Sequence, residues 1–330
     1  MKFLIVGCGS IGKRHLRNLR ALGYQDLLVL RHQPGNVEEI EKEFGAVSFV
    51  DLKTALSQKP DIAIIANPTA LHLPIALAAA NACVNLFIEK PISHNLFQLD
   101  ELSNMVARSN LVVSVAYNLR FHKGLKMVRD VLQAGTIGRP LYIRAEVGSY
   151  LPDWRPGRDY RHTYSAHEDQ GGGALLDLSH EIDYLLWLFG PVRYISAQIG
   201  QISDLEINVE DTADLLMEHK NGIYTSLHVD YFQRYATRKC KLVGTQGTLI
   251  LDFLTNRIEV FQVNNSWEIL EFDQDLNSMY VDELKNFIAC VECQQNPLVS
   301  LADGIEVLRV ALAAKMAAIT GKRQEIADVF

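Results

Sequence analysis

Short, nearly unbroken apolar runs recur along the first third of the chain, at residues 2–6, 27–30, 47–50, 61–66, 84–88 and 111–116. None alternates apolar with polar positions. Each therefore reads as a strand covered on both faces, the form parallel strands take beneath helices. Stretches with helical spacing lie between them, at 10–22, 37–44, 52–58, 71–82 and 96–108. This strand–helix rhythm predicts a doubly wound parallel sheet.

After Asn118 the rhythm changes. A helix is predicted over 123–133, stopped by Gly135, and then a strand over 141–147. A loop rich in Arg, Pro and aromatic residues spans 150–165, and the triplet Gly171-Gly172-Gly173 opens a helix predicted to run unbroken over 175–188. Strands follow in succession at 194–199, 211–218, 223–229, 238–243, 248–252, 257–262 and 267–271. Tight turns such as Asn221-Gly222 and Gln246-Gly247 favour antiparallel pairing. Such a sheet can bury one face on helices and offer the other to a second subunit. Helices at 280–293 and 302–320 close the pattern. The fold class expected is α/β: an N-terminal Rossmann domain over 1–119, and over 120–330 an α/β domain with a large, mainly antiparallel sheet for substrate binding and oligomerisation.

Composition narrows the function. A chain of 330 residues is too long for one ordinary core. A net charge of −7 argues against a nucleic-acid partner, so an anionic ligand would have to meet a local basic patch. No apolar run approaches the ~20 residues that cross a bilayer. The opening apolar run is short, is broken at once by glycines, and reads as a strand rather than a signal peptide. Five cysteines in this length form no disulfide framework, and the expected location is the reducing cytoplasm.

The first strand runs into Gly7-Cys8-Gly9-Ser10-Ile11-Gly12, a G-x-G-x-x-G pattern that also opens the first helix. In that context the pattern marks a dinucleotide site. The first glycine permits the tight turn, the second lets backbone approach a pyrophosphate, and the third lets helix and strand pack closely. The helix N-terminus adds free N–H groups and positive potential, with Ser10 and Ile11 at its start. An acidic residue at the end of the second strand would select NAD through the ribose 2′-hydroxyl; here that strand ends in Arg31-His32. Arg31 can pair with a 2′-phosphate, which inclines the cofactor, NAD(P), towards NADP; stacking of Arg31 on adenine alone would admit either.

Ala66-Asn67-Pro68-Thr69, His72, Glu89-Lys90-Pro91, Arg120-Phe121, the stretch from Gly171 to Asp183, and Gly244-Thr245-Gln246-Gly247 carry a wider likeness. With these motifs nearly the whole chain resembles the glucose–fructose oxidoreductase, inositol dehydrogenase and rhizopine-catabolism (Gfo/Idh/MocA) family. The resemblance implies a substrate pocket between two domains, a homodimer or homotetramer formed through the second sheet, and cofactor contacts from Asn67, Pro68, His72, Glu89, Lys90 and Asn118. It implies that Lys90 meets both the nicotinamide ribose and a substrate hydroxyl, with an Asp and a His on the helix after the glycines completing the site. Members of the family usually space that Asp and His four residues apart, whereas Asp177 and His180 are three apart. His180 is aligned with the catalytic His, and Glu181 rivals Asp177 for the acidic place. The chemistry agrees. Oxidising a carbinol removes the hydroxyl proton, a task for His180; Lys90 offers a cation where alkoxide charge develops, and Asp177, placed on one helix face with His180, orients the imidazole or holds another hydroxyl.

Arg155, Arg158 and Arg161 stand among Trp154, Tyr160 and Tyr164, a mixture suited to an acidic, phosphorylated or nucleotide-linked sugar and equally to a subunit interface. With Arg120 and Arg234, which lies in a polar cluster at a strand end, Trp154, Arg155 and Tyr160 complete the expected substrate contacts. Two further patterns are discounted. Cys290-Val291-Glu292-Cys293 has no second pair for zinc and no βαβ setting for redox work. His162, His167, Glu168 and Asp169 lack the spacing of a metal motif. The expected activity is hydride transfer between nicotinamide and a sugar-like carbinol. The alternatives are a dinucleotide-sensing regulator on the same scaffold and a redox-neutral enzyme that recycles a bound cofactor.

Overall fold

In the computed structural model the apolar runs form parallel strands, buried except the edge strand over 47–49, where Val47 stands exposed. The described residues are 1–31, 37–263 and 266–328; His32 lies outside them. The chain divides into two compact units, Met1–Tyr117 with Asn277–Ile305, and Asn118–Leu276 with Glu306–Phe330.

The first unit holds β1 (Phe3–Val6), α1 (Ser10–Ala21), β2 (Leu27–Leu30), α2 (Val37–Phe44), β3 (Val47–Phe49), α3 (Leu52–Ser57), β4 (Ile62–Ile65), α4 (His72–Asn81), β5 (Asn85–Ile88), α5 (Leu99–Arg108) and β6 (Val113–Val115). The strands lie parallel in the order β3-β2-β1-β4-β5-β6. Phe3, Leu4 and Ile5 and all of β4 are fully buried, as strands covered on both faces require. The order reverses between β1 and β4, the switch point at which ligands bind in open α/β sheets.

A late segment of the chain completes this core. Leu284, Phe287, Ile288, Cys290 and Val291 join the cluster built on Phe3, Ile5, Phe87 and Val112. The Phe87 and Phe287 ring centroids are 5.4 Å apart. Ser114 Oγ donates to the Val299 carbonyl at 2.9 Å. The expected division at 119/120 thus has an addition: residues 277–305 return to the first unit.

The second unit contains α6 (Lys123–Gln133), β7 (Pro140–Gly148), α7 (Ala174–Asp177), α8 (His180–Phe189), β8 (Val192–Gly200), β9 (Thr212–His219), β10 (Tyr224–Asp230), β11 (Thr237–Gly244), β12 (Gly247–Asp252), β13 (Arg257–Gln262) and β14 (Glu268–Glu271). Helices α9 (Leu276–Cys293) and α10 (Leu301–Thr320) follow, and β15 (Gln324–Glu325) comes last. Among the described residues nine strands form one sheet, β14-β13-β12-β11-β7-β10-β9-β8-β15, antiparallel except where β7 meets β10. Alternation sets its faces. Ala213, Leu215 and Met217 of β9 are buried, whereas Tyr142, Leu216 and Tyr224 stand exposed on the opposite side, with Tyr142 directly beside Tyr224.

The helix expected over 175–188 is instead two helices, α7 and α8. Ser179 Oγ donates to the Leu176 carbonyl at 2.7 Å, and the backbone of Glu181 reaches Leu178 in a three-residue step. A serine that bonds back to the preceding turn competes with the helical ladder. Asp177 therefore ends one helix and His180 begins the next, so the expectation that they share a helix face is corrected.

Candidate active site

The tip of β1 is built for close backbone approach. Gly7 has φ +93, and a Cβ there would lie 2.8 Å from the Ala66 carbonyl and the Asn67 nitrogen. A Cβ on Gly12 would strike the Gly7 carbonyl oxygen. One on Gly9 would meet nothing within 4 Å, so the space over Gly9 is open. Gly9 caps α1 with no side-chain bond, and the first turn of α1 has no acidic residue, which leaves its positive end for an anion. The arrangement fits a dinucleotide pyrophosphate.

At the end of β2, Arg31 bonds through its backbone to Phe49, and its buried Nη1 has no hydrogen-bond acceptor among the described residues. Beyond β4, the buried Oδ1 of Asn67 also has no donor among them, and Pro68 opens a short 3₁₀ turn. Both orphaned atoms suit a polar ligand along the strand ends.

His72 corrects an expectation. Its ring is 1% exposed, with Nδ1 2.8 Å from the Pro91 carbonyl and Nε2 2.9 Å from the Asn67 carbonyl. Burial holds its pKa below the ordinary histidine value. It braces the two loops rather than presenting its ring to a ligand. Glu89 has a similar duty: its Oε1 meets Nε2 of the fully buried His15 at 2.7 Å. His15 escaped the sequence reading, although it stands on α1 three residues after Gly12, one turn along from the glycine loop. Lys90, half-buried, follows directly and joins Pro91 through a cis peptide bond.

The second unit gathers another cluster. Asp177 is 4% exposed and accepts from the Tyr231 hydroxyl at 2.7 Å. Tyr164 lies close enough to the same carboxylate to feel its charge. Burial first, and then the Asp177 charge, raise both phenols well above their ordinary pKa, so they stay protonated. Trp154 packs edge-on against Tyr231 at 5.1 Å and donates from Nε1 to Ser149 Oγ at 2.7 Å. Arg155 lies over the Tyr164 ring at 5.4 Å. The glycine triplet makes room nearby: Gly173, with φ +112, abuts the Glu210 carboxylate, which pairs with Lys315 at 3.2 Å. His180 stands half-buried at the start of α8.

Other expected substrate contacts are placed differently. Arg120 is 3% exposed and engages Asp183 with Nη2 at 2.7 Å and Nε at 3.1 Å to each oxygen. Its substrate role is corrected: the guanidinium fork is committed to a buried carboxylate. Arg161 pairs with Asp159 and Glu206, and Tyr160 accepts from the Glu206 backbone at 3.1 Å. Arg234 is exposed and stacks 3.6 Å over Tyr150. Asn118 is buried at the opening of a 3₁₀ turn. Glu181, the rival to Asp177, is occupied by Arg238 at 2.7 Å. Among the described residues no three His, Cys, Asp or Glu side chains gather as a metal site, and no two of the five cysteines form a disulfide.

The strand order and glycine loop define the first unit as a dinucleotide-binding Rossmann domain. Residues 1–117 match the oxidoreductase family with an NAD-binding Rossmann fold, and residues 125–250 match the GFO/IDH/MocA C-terminal domain. The chain belongs to the Gfo/Idh/MocA family of oxidoreductases and is an NAD(P)-dependent dehydrogenase of that class. It is 25% identical over 328 residues to myo-inositol 2-dehydrogenase of Thermotoga maritima, with 96% of this chain and 95% of that protein covered. Its fold is similar to that of levoglucosan dehydrogenase in complex with NADH (TM-score 0.90, 19% identity, 99% of each chain). It is also similar in fold to the WlbA dehydrogenase of Bordetella pertussis in complex with NADH and UDP-GlcNAcA (TM-score 0.85, 22% identity, 98% of each chain). No helix among the described residues is long and apolar enough to cross a membrane.

Proposed function

We propose that the enzyme interconverts a carbinol and a carbonyl on a sugar, sugar acid or nucleotide sugar, with NADP preferred. The observation that carries the reading is the open space over Gly9 at an uncapped helix end, on the same sheet whose fifth strand leads into Glu89-Lys90-Pro91. When bound, the nicotinamide supplies or accepts the hydride. Lys90 donates to the reacting oxygen and stabilises its developing negative charge. His180 takes the hydroxyl proton during oxidation and returns it during reduction. Asp177, held by the Tyr231 hydroxyl, orients a substrate hydroxyl. The unanswered Arg31 Nη1 supports a 2′-phosphate contact. The exposed face bearing Tyr142, Leu216 and Tyr224 supports pairing with a second copy through the sheet.

Calorimetric titration with NADP, NADPH, NAD and NADH, followed by turnover of a panel of sugars, tests this reading. Tighter binding of the phosphorylated pair, lost in Arg31→Ala, is expected. Lys90→Met and His180→Asn are expected to bind the dinucleotide normally and to lose at least about a hundredfold in kcat, the scale of one acid–base or electrostatic group. Normal turnover by either variant overturns its role. Dinucleotide binding without turnover of any sugar overturns the substrate class.

A further inference from the structure

We infer that a recess beside Asp177 takes an anionic group of the substrate, a carboxylate or phosphate carried on the sugar, and that Arg155 and Arg158 hold it. This rests on the sugar reading above and gives the substrate its charge.

The recess is lined by Trp154, Arg155, Arg158, Tyr160, Thr163 and Ser165, all within one stretch of the second unit. The three arginines of this stretch differ in their surroundings. Arg161 is neutralised by Asp159 and Glu206 and is turned into local structure. Arg155 and Arg158 have no carboxylate within ion-pair distance among the described residues, although the chain carries more acidic than basic side chains, 39 against 32. Two guanidinium groups without acids, on one wall of an aromatic recess, match the forked geometry that binds carboxylate or phosphate. Thr163 and Ser165 also line the recess, and the Trp154 ring beside it is fixed by its bond to Ser149.

Contacts tie the recess to the buried carboxylate. Arg155 covers Tyr164, Trp154 meets Tyr231, and the Tyr231 hydroxyl donates to Asp177.

The test is calorimetric titration of the full chain, saturated with dinucleotide in the redox state that does not allow turnover. The probes are glucuronate, glucose 6-phosphate and UDP-glucuronate, with uncharged glucose as reference. At least one anionic probe should bind about tenfold or more tighter than glucose, the factor a single charge-assisted hydrogen bond supplies. The best probe shows whether the charge is a carboxylate or a phosphate. Arg155→Ala and Arg158→Ala should each remove most of that preference and flatten its salt dependence, with glucose unaffected. Arg158→Lys should recover part of it, and Arg193→Ala, on the exposed sheet edge, should behave as wild type. Arg158 is exposed, so its variants are expected to fold. The inference is overturned if no anionic probe exceeds glucose, if the arginine variants bind unchanged, or if those variants alter the assembly's mass and leave affinity intact. Failure of the sugar reading looks different: anions would still bind through Arg155 and Arg158, and no sugar of any charge would turn over.

Discussion

Replacing Arg120 with methionine removes a bidentate partner from the buried Asp183. The two side chains are 4% and 0% exposed, and the pair is bidentate. Breaking a buried ion pair from one side costs about 3–5 kcal/mol, because the remaining charge has lost its compensation. With a urea slope of about 3 kcal/mol/M, the midpoint should fall by roughly 1–1.7 M. Removing both charges behaves differently. In Arg120→Met/Asp183→Leu no charge is stranded, and most of the loss should return. Urea unfolding followed by far-UV circular dichroism measures both variants, and KM for a turned-over sugar is measured on the folded fraction. A KM within about twofold of wild type fits a structural Arg120, since a lost charge-assisted substrate bond would raise it about tenfold or more. Two results would refute the reasoning: a single variant that loses under about 1 kcal/mol, the range of an exposed pair, or one that keeps its midpoint while KM rises tenfold.

Gly9→Ala and Gly12→Ala should part company. The first adds a methyl to open space at an ordinary φ of −72, so thermal stability should hold while NADPH affinity, read by fluorescence titration, drops. The second drives a methyl into the Gly7 carbonyl and should lose stability and binding together. His122 sets an acid limit. Burial, with Arg238 nearby, lowers its pKa to about 4 against an unfolded value near ~6.5. The unfolded chain binds the proton first, so stability present above pH ~6.5 is lost as pH falls towards 4, by up to about 3 kcal/mol. His122→Phe, which keeps an aromatic ring against Phe253 and Phe272, should flatten that slope in urea titrations at pH 7 and pH 4.5. An unchanged slope would show that other groups set it.

The parallel sheet was legible because its strands are mostly apolar and recur between helical stretches, and because the turn after β1 needs glycine. The second sheet was legible through alternation, as in β9, and through glycine turns. β15 was not, because two residues carry no period. The break between α7 and α8 was hidden, since the helical pattern of apolar positions continues across it and only the Ser179 back-bond interrupts the ladder. Site residues divided in the same way. Gly7 and Gly12 could be read because backbone geometry dictates their type, and Gly9 because a ligand must approach its backbone. Arg120 and His72 looked like ligand contacts because polar residues in a recognisable motif do not reveal whether their partner is a ligand, a buried Asp183 or two carbonyls. His15 and Glu210 were missed as members of the sites because their partners lie 74 and 105 residues away.

The return of residues 277–305 to the first unit has a consequence for synthesis. When Tyr117 leaves the ribosome, every strand of the parallel sheet has been made, but the hydrophobic surface that Phe287 and its neighbours cover has no lid. At about 5–20 residues per second, that surface waits roughly ten to forty seconds for the segment that seals it. Meanwhile all of 118–276, most of the second unit, is translated as one long detour inside the first. The nascent chain thus carries a nearly finished but sticky nucleotide-binding sheet through most of its own translation, a window in which trigger-factor-like holding or early dinucleotide capture would have the greatest effect on yield.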